Sequence, residues 1–325
     1  MVAANEMLQV ALLSGKTAQL PIQPETMLKE VKEAAEDELE VGIRHFVRED
    51  GTVMGEWQMV RQGESLQAVA GYNIKVRHHA QALLDKITPV NCPGFRKIMD
   101  DLLGIELHNG EELKCILRSV FKKAIEEPAH GETCARIAVG FRERYPEFRP
   151  ENESQKPLSF IRALVPICQE EFESMPITFE ASQLDKAKFP RAETLQAELT
   201  RRKHRMLACV SFLGHLFLER LLAMKVIGQI VHDLIGPRRG DGDPPHEHMI
   251  ECVLKLLTLV GRTLDADMPT GVELMNSFEA RLRTLVLLRS GGTRLYSDQV
   301  RSAMIDMLEW RSNAWWPRAH FEHLQ

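Results

Sequence analysis

The hydrophobic pattern of the chain changes its period once, near residue 74. Before that point, apolar and polar residues alternate in two short runs, 8–12 and 18–22, on either side of the turn-forming Gly15. Alternation with period two predicts β-strands, so the two runs are expected to form a hairpin. Residues 28–39 follow with apolar side chains on one helical face and with neither Gly nor Pro, which predicts a helix.

From Ile74 onward, apolar residues recur with the helical period of 3.6. The clearest stripe runs along residues 249–264, where one wide apolar face repeats at helical spacing. Other helical segments are expected at 95–103, 113–124, 155–174, 192–222, 225–235, 271–289 and 296–311. About ten helices with mostly short connections indicate antiparallel pairs stacked into a superhelical solenoid of HEAT type.

Composition narrows the class of protein. The chain has 325 residues, of which 44% are hydrophobic and 27% charged, so two globular domains are expected. It contains no run of about 18 apolar residues, and a membrane span is therefore not expected. Residues 1–6 lack the basic and apolar stretches of a secretory signal, which favours a cytoplasmic location.

The candidate chemistry is sparse, and no cofactor is expected. The six cysteines are widely spaced and form no CxxC pair, so neither a disulfide framework nor a zinc site is indicated. His246 and His248 are two positions apart on an expected helix and would point to nearly opposite sides, which argues against a metal site. Residues 1–71 carry 6 Lys and Arg against 12 Asp and Glu, so bulk charge does not imply tight binding of nucleic acid.

The order of elements in the first seventy residues is strand, Gly turn, strand, helix and short strands. With the sequence LSGKT at 13–17, followed by PET at 24–26 and VK at 31–32, this order resembles ubiquitin over residues 7–70. The resemblance implies an α+β domain of β-grasp type at 1–71 that serves as a docking module, with a partner in the ubiquitin pathway. The alternative is a structural head that has no partner of its own. The chain continues past Gly71 without a diglycine tail, so conjugation chemistry is not implied.

Six motifs of the helical part occur in a fixed order. They are LDKITP at 84–89, VFKKAIEEP at 120–128, CQEEFE at 168–173, FLGHLF at 212–217, LLTLVGRTLD at 256–265 and DMLEWR at 306–311, the last followed by Asn313 and by WWPR at 315–318. In this order they resemble the middle domain of eukaryotic translation initiation factor 4G.

That resemblance implies a fold and an activity. The fold is a HEAT-type α-helical solenoid of five antiparallel helix pairs over residues 77–318, after a linker at 72–76 and before a tail at 319–325. Members of the family are non-enzymatic adaptors that grip a DEAD-box RNA helicase, typically initiation factor 4A, and hold its two lobes in a productive arrangement. Other initiation factors are further partners that the resemblance implies.

Three residues are expected at the helicase contact by the same resemblance. Leu256 and Leu257 match a leucine pair that the family uses in helicase binding, and Arg301 matches a basic position of the last helix. The alternative is that both leucines belong to the core, since they lie in the widest apolar stripe of the chain. One departure is Ser302, which stands where the family carries a phenylalanine that helps to grip the helicase.

The densest basic cluster is the expected RNA contact. It consists of Arg201, Arg202, Lys203 and Arg205, and the matching family segment is linked with RNA. A handful of phosphate contacts would give weak, salt-sensitive binding. The alternative is that the cluster is a solvated helix face.

The expected function is that of a non-enzymatic adaptor in translation initiation or its control, which binds a DEAD-box helicase and, weakly, RNA. Two alternatives remain open at this point. One is a scaffold of the same fold in RNA processing or mRNA decay. The other is a ubiquitin-pathway adaptor that acts through its N-terminal domain.

Overall fold

The computed structural model of the chain describes residues 6–23, 26–56, 58–61, 63–87, 94–149, 156–176, 179, 181–236, 244–290 and 292–315. Several features of the sequence analysis lie outside these residues. They are Pro24 and Glu25 of the ubiquitin-like match, Thr88 and Pro89 of the LDKITP motif, Cys92, residues 316–318 and the predicted tail at 319–325. Within the described ranges, no helix is both long and apolar enough to cross a bilayer.

The N-terminal part, called the head below, is a mixed sheet with one helix. Its elements are β1 (Glu6–Leu12), β2 (Thr17–Ile22), α1 (Leu28–Leu39), β3 (Gly42–Arg48), β4 (Val53–Met54) and β5 (Ser65–Tyr72). The strand order is β2-β1-β5-β3-β4, in which β1 and β5 are parallel and the other neighbours are antiparallel. The predicted hairpin is confirmed, since Leu8 pairs with Leu20 across β1 and β2.

The core of the head follows from the alternation in the sequence. Every second residue of β2 is buried, ending with Leu20 and Ile22, and Leu8 and Val10 of β1 are buried with them. The apolar face of α1 covers this side of the sheet and belongs to the same core cluster. Gly15 has a φ of 88°, a left-handed conformation that Gly adopts without steric cost, and it closes the hairpin.

The remainder of the described chain is mostly helical. The helices are α2 (Ile74–Leu84), α3 (Gly94–Leu103), α4 (Gly110–Glu126), α5 (Gly131–Arg144), α6 (Phe160–Glu173), α7 (Gln183–Lys188), α8 (Ala192–Leu218), α9 (Met224–Ile235), α10 (Glu247–Asp265), α11 (Thr270–Leu287) and α12 (Asp298–Ser312). A 3-10 turn (Pro128–His130) precedes α5. Two minimal hairpins join β6 (Glu147–Phe148) to β7 (Leu158–Ser159) and β8 (Arg289–Ser290) to β9 (Thr293–Arg294).

The largest differences between the predicted and the observed boundaries are three. The predicted linker at 72–76 is absent, because β5 extends to Tyr72 and α2 begins at Ile74 with Asn73 as its N-cap. The helix predicted at 155–174 begins only at Phe160, since the two preceding residues pair with β6. The helix predicted at 192–222 ends at Leu218.

Contacts divide the chain into two compact units. The first comprises residues 1–120 and 140–167, and the second comprises residues 121–139 and 168–325. The head therefore shares a unit with α2, α3 and the first part of α4. The second unit contains α7 to α12 and carries all seven candidate site residues.

Candidate scaffold surface on α8 to α12

Helix α10 is the centre of the second unit. It packs against α8, α9, α11 and α12, and its buried face is the apolar stripe that the sequence analysis identified. The buried side chains of α10 include Met249, Val253, Leu256, Leu257, Val260 and Leu264. A helix with neighbours on four sides needs more than one apolar face, which is why two adjacent leucines are both buried.

Leu256 and Leu257 lie inside the protein. Their exposed fractions are 0% and 1%, so neither side chain offers a surface to a partner. Leu256 points towards α8, where its Cδ1 would lie 3.1 Å from a Cβ built at Gly214. Leu257 points about 100° away from Leu256 around the helix and lines a small groove between α10, α11 and α12. The structure thus places the leucine pair in the core.

Gly214 explains why α8 and α10 approach each other closely. A Cβ atom at this position would lie 2.7 Å from Cδ2 of Leu259, which is closer than packed carbon atoms come. Gly214 belongs to the FLGHLF motif and Leu259 to the LLTLVGRTLD motif. In the same motif as Gly214, Phe212 packs edge-on against Phe121 of the VFKKAIEEP motif, with ring centroids 4.9 Å apart. The motifs therefore mark contacts between helices.

The end of α12 is fastened to α10 by Trp315. Beyond the helix, Ala314 and Trp315 both adopt positive φ angles, of 54° and 62°, and the indole ring comes to lie against Gly261. The indole Nε1 donates a hydrogen bond to Oδ2 of Asp265 over 2.8 Å. Trp310 packs edge-on against Trp315 with ring centroids 5.3 Å apart. The fifth and sixth motifs of the sequence analysis thus meet at this point.

Arg311 ties three helices together beside that tryptophan. Its guanidinium donates to Asp265 of α10 over 2.7 Å, and to Glu279 and Asn276 of α11 over 2.6 and 2.8 Å. The hydrogen bond with Asp265 raises the pKa of Arg311 further above its usual value. A guanidinium presents several donors in a fixed plane, so one Arg can hold two carboxylates and an amide at once.

Arg301 is largely occupied within the protein. Its Nε donates to the carbonyl oxygen of Val286 at the end of α11 over 3.3 Å, and its Nη1 pairs with Asp298 over 3.0 Å. The side chain therefore closes the last turn of α11 and supports α12 against it. Ser302, the next residue, is exposed, and Ile305 is partly exposed one turn further along α12. Both positions belong to the accessible face of this helix near Arg301.

The basic cluster of α8 is neutralised by neighbouring acidic residues. Arg201 pairs with Glu198 over 2.8 Å, Arg202 with Asp185 and Glu198 over 2.5 and 3.0 Å, Lys203 with Glu251 over 2.5 Å and Arg205 with Glu171 over 3.4 Å. All four cations are thus balanced by four carboxylates from α6, α7, α8 and α10. The side chain of Arg201 remains 65% exposed. This arrangement favours the alternative of a structural, solvated face over a strong phosphate-binding patch.

Asp185 is the acidic residue most affected by the cluster. The guanidinium of Arg202 donates two hydrogen bonds to it and holds the pKa of Asp185 at about 2. Ser182, the N-cap of α7, exchanges reciprocal hydrogen bonds with Asp185 in a capping box. Helix α7 is thereby attached to α8 through Arg202. Helix α7 was not predicted from the sequence, although Ser182 and Asp185 have the spacing that a capping box requires.

Several titratable side chains of this unit are buried and chemically quiet. Burial raises the pKa of Cys168 and Cys209 above the usual value for a thiol, and that of Cys252 to about 12, so none of the three thiols is activated. Burial also lowers the pKa of His215. Among the described residues, no group of three His, Cys, Asp or Glu side chains is placed to hold a metal ion.

The expectation that His246 and His248 point apart was wrong. His246 is the N-cap of α10 and has extended backbone angles, so the rule for two positions within a helix does not apply to it. The two imidazole rings are stacked with centroids 5.5 Å apart, and Phe179 packs edge-on against His248 at 4.4 Å. These ring contacts pack the N-terminus of α10 against Phe179.

Comparison with known proteins agrees with this framework. The family model described as "MIF4G domain" matches residues 79–314. Eukaryotic translation initiation factor 4G from Triticum aestivum is 27% identical over 243 residues, which are 73% of this chain and 15% of that protein. The Arabidopsis thaliana protein of the same name is 26% identical over 250 residues, 74% of this chain and 13% of that protein.

A second kind of relative and one solved structure are also similar to this chain. Eukaryotic translation initiation factor 4 gamma 2 from Homo sapiens is 26% identical over 271 residues, 80% of this chain and 29% of that protein. Among solved structures, the MIF4G domain of Trypanosoma cruzi translation initiation factor EIF4G5 aligns with a TM-score of 0.45 and 17% identity, covering 74% of this chain and 97% of that one. The matched region is thus only a part of the curated relatives, whereas the family model accounts for most of this chain. The chain belongs to the MIF4G domain family.

Proposed function

We propose that the protein is a non-enzymatic adaptor in translation initiation or its control. The observation that carries this proposal is the family match over residues 79–314, with relatives that are themselves translation initiation factors. The internal contacts support it, because motif residues such as Gly214, Gly261 and Trp315 fit the helices of one unit together. A scaffold needs such a fixed surface and no catalytic group.

The partner proposed for the helical unit is a DEAD-box RNA helicase of the initiation factor 4A type. A scaffold activates such an enzyme by binding one arrangement of its two lobes more tightly than the others, which raises the population of that arrangement. Arg301 is the proposed contact residue, together with the accessible face of α12 next to it. Leu256 and Leu257 are proposed to act from inside, since their packing fixes α10 between α8 and α11.

The test measures the RNA-dependent ATPase activity of initiation factor 4A with and without the full chain. We expect a stimulation that saturates with the concentration of the chain and is reduced in an Arg301→Gln variant. Arg283→Gln is the matched control, because Arg283 is an exposed arginine on α11 that also pairs with a carboxylate of its own helix, Glu279. The proposal would be overturned if the full chain failed both to stimulate the helicase and to capture it.

A weak RNA contact through Arg201, Arg202, Lys203 and Arg205 is a subordinate part of this function. The four ion pairs of the cluster compete with phosphates for the same cations, so the contribution to RNA affinity is small. Cytoplasmic location and other initiation factors as additional partners follow from the same proposal.

We further infer that the head is a β-grasp domain of the ubiquitin type, separated from the helical domain 77–318 at about residue 71. The strand order β2-β1-β5-β3-β4 and the parallel pairing of β1 with β5 support this assignment. Leu13, in the hairpin loop, is 80% exposed and is a candidate contact for a ubiquitin-pathway partner. Binding of the full chain to proteasomal ubiquitin receptors, lost in Leu13→Asp but kept in Gln19→Asp, would support the docking role.

A further inference from the structure

The head and the helix that follows it have opposite charges. Helix α2 contains Lys75, Arg77, His78 and His79 but no acidic residue. Helix α1 contains five acidic residues in twelve, Glu30, Glu33, Glu36, Asp37 and Glu38. The two helices belong to the same compact unit, and ion pairs join them.

Glu36 is the centre of this contact. Its side chain is 2% exposed and accepts hydrogen bonds from the hydroxyl of Tyr72 over 2.6 Å, from the backbone amide of Ile43 over 2.8 Å and from the guanidinium of Arg77 over 2.6 Å. The same guanidinium reaches Asp37, and His78 Nε2 lies 2.9 Å from that carboxylate. Two carboxylates of the head therefore contact two basic side chains of α2, Arg77 and His78.

Glu56 makes a second contact of the same kind with α4. It accepts from Lys32 of the head over 2.8 Å, and the guanidinium of Arg118 lies 2.9 Å away. Burial raises the pKa of Glu56, but the charges of Arg118 and Lys32 outweigh this and hold it below its usual value. A pair with the opposite polarity, Arg44 of the head with Glu111 of α4 at 3.5 Å, completes the contact.

Most of the contact is polar, although the half-buried Tyr72 of the head also interacts with the buried thiol of Cys115 on α4. Each side has an apolar core of its own. The core cluster that contains Leu8 and Phe46 consists only of head residues. The large apolar side chains of α2, such as Val76 and Leu84, are buried. Ion pairs between separately packed parts are typical of contacts that open and close reversibly. The pair with the half-exposed Asp37 weakens as salt increases, whereas the buried pair of Glu36 with Arg77 is screened less.

We propose that the acidic head covers a phosphate-binding face on α2 and α4, and that an RNA strand competes with the head for Arg77 and Arg118. The face also includes Lys75 and His78, which lie on the exposed side of α2. It is separate from the α8 cluster and from Arg301, so this inference does not depend on helicase binding.

The chemistry of the face favours RNA over a protein partner. Arginine guanidinium groups bind phosphates through paired hydrogen bonds, and such contacts need no apolar surroundings. A stable protein contact needs a buried apolar centre, and the exposed side of α2 offers mainly Lys75, His78 and His79. The carboxylates of Glu36, Asp37 and Glu56 occupy the positions that phosphates would take.

The test uses the full chain and a fluorescein-labelled 20-nucleotide oligouridylate in an anisotropy titration at low salt. In the variant Asp37→Asn/Glu56→Gln, the head holds α2 and α4 less tightly, while the buried Glu36 is kept. We expect RNA to bind about 3- to 10-fold more tightly than to the unchanged chain, with a salt slope steeper by about one to two. Adding Lys75→Gln and Arg118→Gln to this variant should abolish the gain.

The matched control is Glu30→Gln/Glu38→Gln, which removes the same charge from exposed positions of α1. An equal gain in this control would mean that bulk charge explains the effect, and the proposal would fail. It would also fail if the interface variant gained nothing, or if a polyglutamate peptide bound to it more tightly than the oligouridylate.

A second measurement needs no variant and therefore does not depend on correct folding of one. Saturating oligouridylate should increase hydrogen exchange of the unchanged chain around Ile43, whose amide donates to Glu36, and leave exchange in β1 and β2 unaltered. Bound RNA without any change in exchange around Ile43 would show that the head and the RNA do not compete. Helicase stimulation is read by ATPase activity, so the two proposals fail independently.

Discussion

The indole ring of Trp315 lies so close to Gly261 that a Cβ atom at position 261 would be 2.1 Å from its Cη2. The glycine thus creates the space into which the ring fits, and the hydrogen bond from Nε1 to Asp265 fixes the orientation of the ring. Since Trp315 follows α12 and Gly261 lies in α10, this contact determines how the last described helix is held.

The substitution Gly261→Ala should destabilise the protein. The added methyl group cannot be accommodated unless the indole moves, and overpacking of this kind costs about 1–3 kcal/mol. Urea unfolding followed by circular dichroism measures the change. Gly228→Ala in α9 is the control, because a Cβ there meets only the flexible end of Leu274 at 3.2 Å. A glycine-to-alanine change inside a helix otherwise stabilises by up to about 1 kcal/mol, so equal effects at both sites would contradict the prediction.

Replacing either core leucine should affect folding before binding. Leu256→Ala and Leu257→Ala each remove a fully buried side chain, and the expected loss of stability is about 2–5 kcal/mol. The control Leu287→Ala changes a side chain that is 77% exposed and should have little effect. We expect helicase capture to fall only as far as the folded fraction falls. A loss of helicase capture without a change in the free energy of unfolding would instead indicate that these leucines contact the helicase directly.

Restoring the aromatic residue of the family should strengthen helicase binding. Ser302 is exposed on α12, so Ser302→Phe can be made without disturbing the core. An aromatic side chain added at a partner contact contributes large apolar area, and we expect about a 3- to 10-fold lower Kd for initiation factor 4A. Gln229→Phe, an exposed position of α9, controls for nonspecific stickiness. Unchanged affinity with Ser302→Phe would exclude this face of α12 from the contact.

Arg201 and Arg202 of the α8 cluster should behave differently on substitution. Arg202→Gln leaves Asp185 and Glu198 without their shared partner, and an expected cost of about 1 kcal/mol follows from the lost charged hydrogen bonds. Arg201→Gln removes a largely exposed pair and should cost little. Thermal unfolding distinguishes the two variants. Because both cations are already paired, neither change should alter RNA affinity more than about twofold, and a larger drop would restore the cluster as an RNA site.

The buried Glu36 predicts a particular dependence on pH. Burial raises the pKa of Glu36 above its usual value, despite hydrogen bonds from Tyr72 and Ile43 and the charges of Lys32 and Arg77. The folded chain therefore binds a proton at Glu36 at a higher pH than the unfolded chain does. The free energy of unfolding that this group contributes accordingly increases as the pH falls.

The measurement compares the unchanged chain with Glu36→Gln, which cannot titrate at this position. The difference between their unfolding free energies should shift in favour of the unchanged chain as the pH falls from 7 through the raised pKa, and should level off below about 4.5. A difference that is constant over this range, or that shifts the other way, would contradict the assignment.

The parts of the fold that are local in sequence could be predicted from it. The hairpin around Gly15 and helix α10 depend on periodicity within a dozen or so residues, and both are visible in the alternation of apolar positions. The depth of burial of Leu257 could not be predicted, because it depends on α11 and α12, which cover a second side of α10. A stripe of apolar positions shows that a helix has a core face but not how many neighbours it has.

Charge pairing between distant elements was the main feature that the sequence could not reveal. Arg77 meets Glu36 across 41 positions, and Arg202 meets Asp185 in a short helix that no apolar period announces. The charges along the chain indicate the basic cluster of α8, but they do not show whether its cations are free to bind phosphates. Only the folded arrangement reveals that each cation has a carboxylate beside it.

The single residue Asn73 between β5 and α2 constrains how this architecture can be rearranged. Its side chain accepts from the amide of Lys75 and starts the helix one residue after the strand ends. A chimaera that joins a different head to this body would have to keep that spacing, and the new head would need a carboxylate where Glu36 meets Arg77. The head and α2 should accordingly be transferred together when segments are exchanged between homologues, and not one without the other.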